Sequence, residues 1–172
     1  VVTKQYVQLM AAYSEWQNRN IFGAADSISD AERRLDQGAF FRSIHETLNH
    51  VLWGDQIWLH RLAGTREPRV SELARSVELH DDWDQLKADR ARTDRIMLEW
   101  ARDVTDESFD GELVWYSGIV ESEISRPKWA LVMQLFNHGT HHRGQVHAML
   151  TAVGATPTDT DIQFMESNHF KW

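Results

Sequence analysis

Residues 137–147 read Asn137-His138-Gly139-Thr140-His141-His142-Arg143-Gly144-Gln145-Val146-His147, inside a proline-free run that starts at Lys128. Pro127 in front suits the opening of a helix, and Gly154 behind suits its C-terminal cap, so the pattern predicts one helix from Pro127 to about Val153. At about 100° per residue, His138 and His142 fall in the sector of Leu131, Leu135, Met149 and Val153, which is apolar and therefore inward. His141 lies to one side of that sector and His147 opposite it. Imidazoles four apart stand on one face, one turn from each other, and both can reach a single metal ion. His138 and His141, three apart, form a competing pair. The apolar neighbours select His138 and His142.

Three more long periodic stretches surround this one. The first covers about residues 3–22, with Tyr6, Leu9, Tyr13 and Trp16 as its inner face. The second runs from about Ser43 to Leu62, ending before Gly64, on a seam of Ile44, Leu48, Val51, Asp55, Trp58 and Leu62. The third spans about Asp81–Asp103, opened by acids and marked by Trp83, Leu86, Met97 and Trp100. Short turns are expected at 31–35, 70–75 and 161–166. Residues 112–124 read as a β-hairpin turning at Ser117-Gly118. The fold class is therefore all-α: a four-helix bundle with a short β-hairpin between the third and fourth helices, as a single domain over residues 1–172. Val132, Phe136 and Leu150 remain apolar positions for packing on the bundle or on a second subunit.

Composition narrows the function. The 18 Lys and Arg against 26 Asp and Glu give −8, which argues against a phosphate-tracking nucleic-acid surface. No apolar run approaches the roughly 18–20 residues that span a bilayer, so no membrane partner is expected. Residues Val1–Met10 are amphipathic and unlike a secretory leader, which makes a cytoplasmic location the default expectation. The count of 0 Cys excludes thiolate metal ligands and a cysteine nucleophile. Histidine, with 9 copies of which four lie between 138 and 147, is where chemistry is to be sought.

A third ligand has to come from another helix, and the second helix offers His45, His50 and His60. His45 and His60 share a sector with Asn49 and Gln56 and read as surface residues. His50 sits beside Thr47, Gly54 and Ile57 on a buried flank and is taken as the third ligand, although the pattern equally allows a hydrogen-bonded core histidine. Three neutral imidazoles leave an open coordination position, suited to zinc or nickel and also to iron. Glu46, Asp55 and Gln145 are candidates to hold the second ring nitrogens. The Trp residues read as core or helix-interface groups. Arg33, Arg34, Arg90, Arg92 and Arg95 read as solvated faces, and Arg143, off the metal sector, as a pairing residue at an interface. Asp55, on an apolar seam, needs a partner.

Two stretches together resemble the DinB/YfiT-like family. One is Ile44-His45-Glu46-Thr47-Leu48-Asn49-His50-Val51-Leu52-Trp53-Gly54-Asp55 followed by Trp58-Leu59, and the other is Asn137-His138 through His142-Arg143-Gly144-Gln145. The resemblance runs over most of the chain. It implies a four-helix bundle in which His50, His138 and His142 bind a divalent metal such as zinc or nickel, in a protein that is commonly a homodimer. It also implies a metal-dependent enzyme of the thiol S-transferase kind, activating a low-molecular-weight thiol or water, with a metal-dependent hydrolase as the nearest rival. The alternative is a non-catalytic dimeric metal-binding or stress-response bundle. No residue marks a substrate, and no catalytic base is assigned.

Overall fold

The computed structural model describes residues 2–166. Helix α1 covers Lys4–Asp26, the one-turn α2 Asp30–Arg33, α3 Ile44–Ala63, α4 Trp83–Asp103 and α5 Lys128–Ala152. Strands β1 (Glu112–Ser117) and β2 (Ser122–Pro127) form an antiparallel hairpin between α4 and α5. Short 3₁₀ turns fill Leu73–Glu78, Asp106–Phe109 and Ile162–Phe164. The four long helices make a bundle in which α3 packs on α5 and α4, and α1 packs on the same two from the other side. The fold class read from the sequence is the one observed. Among the described residues no helix is long and apolar enough to cross a membrane.

The ends of the helices follow from local chemistry. Thr3, Ser43 and Asp82 each stand at a helix start and accept a hydrogen bond from a backbone N–H three residues on. Gly64 and Gly154 follow α3 and α5 with φ of 66° and 84°, the left-handed conformation that lets a chain leave a helix. Helix α1 continues to Asp26, beyond the expected 22, because nothing before Ser27 breaks it.

Its inner face also differs from expectation. Val7, Ala11, Ser14, Asn18, Ile21 and Ala25, spaced alternately four and three, are buried. Tyr6 and Leu9 are only half-buried; Tyr13 and Trp16 are buried as expected, but on a flank with Met165 and not at the helix seam. Hydrophobicity draws attention to the aromatics; close helix packing instead favours small residues at the seam.

The hairpin turn occupies residues 118–121, so β2 begins three residues later than the alternation suggests. Trp115 and Ile124 face each other across the ladder, and Trp115 meets Trp58 edge-on at 5.8 Å, which sets the register. Ile119 and Val120 are left exposed at the tip. Val132, Phe136 and Leu150 are buried within this chain, in the two main core clusters.

Two arginines expected on solvated faces are in the interior. Arg90 of α4 is 3% exposed; its Nη1 donates to Asp55 Oδ2 at 2.7 Å, and its Nη2 lies 2.7 Å from Asp94 Oδ1. Asn18 of α1 donates to that same Asp94 oxygen at 2.9 Å, so one ionic cluster ties three helices together. Burial raises the Asp94 pKa despite the opposing pull of Arg90. Arg33 is buried as well, its Nη1 donating to Ala25 O and Ile28 O, where it satisfies carbonyls at the end of α1. Charge patterning places an Arg at the surface by default, because the partner that permits burial lies on another element.

Candidate metal centre

Helices α3 and α5 are neighbours, and their seam contains a gap. Gly54 of α3 has no side chain, and a Cβ built there would lie 2.5 Å from His138 Cε1 and 2.9 Å from its Nδ1. His138 uses that room to lie against the α3 backbone. Its Nε2 comes 2.9 Å from Nε2 of His50, and His142, one turn further along α5, completes the group. One nitrogen from each of His50, His138 and His142 lies within 4.8 Å of the others. Nitrogens sharing one ion at metal–nitrogen distances of about 2.0–2.1 Å stand up to about 4 Å apart, so a side-chain shift of about 1 Å closes the set. His50 and His142 are buried, and His138 is half-buried.

The hydrogen bonds behind the rings orient them. Gln145 Oε1 lies 2.7 Å from His142 Nδ1; an amide oxygen only accepts, so His142 carries its proton there and turns the Nε2 lone pair to the centre. His50 Nδ1 is 2.8 Å from Ser76 Oγ, a hydroxyl able to accept the ring proton and so leave Nε2 free for an ion. His138 Nδ1 is buried with no partner among the described residues. Burial, with the neighbouring imidazoles, lowers His50 to about 3, and burial, with His142 next, lowers His138 to about 4. Burial also lowers His142. All three rings are therefore neutral at pH 7, as metal ligands must be. The donor set fits a borderline divalent cation: three neutral nitrogens, one short of the four such an ion usually takes.

A tight turn roofs the group. Ala39 and Arg42 pair across it, with Arg42 at φ 62°, and Phe41 stacks on His50 at 3.8 Å between ring centres. Phe41 also lies 5.3 Å from the His142 ring, and Trp53 lies 5.7 Å from His50 on α3. Neither Phe41 nor Ser76 was visible as a site residue, since both come from irregular segments without periodicity. Gln145 is where the sequence placed it. Asp55 instead pairs with Arg90, and Glu46 holds none of the rings.

The other histidines separate cleanly. His45 is buried rather than at the surface: the segment before α4 covers that side of α3, and His45 Nε2 donates to His80 O at 2.9 Å. Asn49 Nδ2 donates to the same carbonyl. His60 is half-buried and bonded to Thr65 O, while His141 is exposed beside His142. Arg143 is 4% exposed inside the chain, its guanidinium folded back over Gly139 near Tyr13 and Ser14. Burial there corrects the expectation of an interface residue.

Two results are expected of this arrangement. Gly54→Ala drives a methyl into His138 and should weaken divalent-metal affinity about 10–100-fold, the range seen when ligand support is disturbed, as read by competition with a chromogenic chelator. The second concerns acid. The folded pKa values of His50 and His138 lie below the unfolded value near 6.5, so the unfolded chain binds more protons between about pH 6.5 and 3. The stability contributed is present above the unfolded pKa and is lost as pH falls through that window. Thermal melts of metal-free protein should show Tm falling from pH 7 to pH 4, with the fall reduced in a His50→Gln, His138→Gln double variant.

The fold and site define a class, a four-helix bundle with a three-imidazole cluster at the seam of two helices. The family model described as the DinB family matches residues 2–170, and the chain belongs to that family. It is 24% identical over 153 residues to Protein DinB of Bacillus subtilis (strain 168), with 87% of each chain covered.

Proposed function

We propose that the protein is a divalent-metal enzyme in which His50, His138 and His142 hold zinc or nickel, with iron as the remaining candidate, and which acts on a small-molecule thiol or water. The observation that carries this reading is the convergence of three neutral imidazole nitrogens within 4.8 Å of one another. A cation bound there supplies Lewis acidity, which lowers the pKa of a thiol or water enough for attack on an electrophile at neutral pH. The chain has 0 Cys, so the thiol arrives as a cosubstrate. Gln145 and Ser76 keep the ring lone pairs aimed inward, and Phe41 shields the His50 side from water. A homodimer in the cytoplasm is the assembly and setting proposed with this activity.

A second reading, a bundle that binds metal to store or sense it without catalysis, is favoured by the same Phe41 stacking, since a covered centre is harder for a substrate to reach. Elemental analysis of protein purified without an affinity tag, followed by thiol-dependent conjugation on a panel of electrophiles, separates the two. The enzyme reading expects about one metal per chain and turnover that needs both metal and thiol. Full loading with no thiol- or water-dependent turnover supports storage or sensing. Failure to load any divalent metal ends both.

A further inference from the structure

At the other end of α3, Arg61 stands 11 residues beyond His50, about 16 Å along the helix axis. It borders a cavity of about 280 Å³ between α3, α4, the hairpin and the start of α5. Trp100, Phe109, Leu113 and Val132 form an apolar wall, and Arg61 and Lys128 supply two cations. The Arg61 guanidinium is held in place by two indoles, 5.0 Å from the Trp58 ring centre and 5.4 Å from that of Trp115. Among the described residues it makes no ion pair or hydrogen bond, and Glu67 acts on it only at longer range. Lys128 is also without an ion pair among the described residues, and the first turn of α5, which it opens, contains no acid. Of the lining residues only Asp103 is acidic; it is engaged by Arg102 at 2.8 Å on the exposed rim.

A half-buried guanidinium fixed in orientation, a second free cation and an apolar wall are complementary to an anion with an apolar body. The volume sits at the low end for ligand sites, which selects a small molecule over a peptide or a lipid. We propose that this cavity binds a small monocarboxylate with an aromatic or short aliphatic body, its carboxylate between Arg61 and Lys128 and its body against Trp100, Phe109, Leu113 and Val132. The site is separate from the histidine centre and does not depend on the metal.

The test is calorimetric titration with 3-phenylpropionate, repeated with the uncharged 3-phenylpropionamide, alongside indole N–H resonances of the full chain. Saturable binding with Kd of about 1 mM or below is expected, on the scale so small a ligand supports, with Trp100 and Trp115 resonances shifting. The amide should bind about tenfold more weakly. Arg61→Gln and Lys128→Gln should each weaken the acid by a similar factor, and His138→Ala should leave it unchanged. Lys128 lies in a first helical turn, so its variant keeps the test decisive if Arg61→Gln folds poorly. No saturation at 10-fold the expected Kd, equal binding of acid and amide, an unaffected Lys128→Gln, or loss in His138→Ala would each overturn the proposal.

Discussion

His138→Ala is expected to reduce bound divalent metal from about one ion per chain to under about a tenth, measured by elemental analysis after dialysis. The ring supplies the nitrogen that sits 2.9 Å from His50, and its removal leaves two imidazoles on different helices with nothing between them. Two neutral nitrogens without a carboxylate or thiolate hold a borderline cation weakly. The fold should survive. His138 is half-buried, and the Ala side chain fits beside Gly54, where a larger group on α3 would not. His60→Ala provides the control, since His60 is bonded to Thr65 O at the far end of α3. Wild-type metal content in His138→Ala would remove the three-histidine reading altogether.

The second large effect lies in the ionic cluster. Asp55→Ala leaves the Arg90 guanidinium in the core with one of its two carboxylates gone. Breaking a buried pair from one side costs about 3–5 kcal/mol, because the Arg90 charge, left with Asp94 alone, cannot regain water for the contact it loses. For a chain of 172 residues each kcal/mol moves Tm by about 2–4 °C, so a drop of about 6–20 °C is expected by calorimetry. Replacing the whole cluster, Asp55→Leu with Arg90→Met and Asp94→Asn, should cost less than the three single changes added together, since no unpaired charge remains and the new amide oxygen at position 94 can still accept from Asn18. A Tm within 2 °C of wild type for Asp55→Ala would mean that Arg90 finds water in the variant. The cluster is not part of the metal centre, so metal stoichiometry at 25 °C should be unaltered.

The histidine pair on α5 was legible because a helix is periodic. Its 3.6-residue repeat links position in the chain to position on a face, and the apolar neighbours show which face is inward. His50 was legible only in part. Its sector suggested burial, and the family resemblance named it, but the pattern alone left a core histidine equally open. The same reasoning failed for His45, which the sequence put at the surface and a connecting segment buries. It failed for Arg90 because Asp55, which makes its burial tolerable, lies on another helix 35 residues away, and for Arg33 because its partners are backbone carbonyls at the end of α1, which no residue type announces. The aromatic residues of α1 misdirected the reading of its seam toward the largest side chains, whereas helix contact is decided by the small ones.

By itself the sequence determined what is local: four helices and the glycines that stop two of them, the existence of the hairpin, the absence of any thiol, and the facing of His138 and His142. These follow from backbone geometry and solvent partition within a few turns of chain. The tertiary structure alone decided what is non-local: that Gly54 leaves room for His138, that Ser76 and Phe41 from irregular segments meet His50, and that Arg90 joins three helices. Those contacts depend on how the helices pack side by side, and no one-dimensional period encodes which face of one helix meets which face of another.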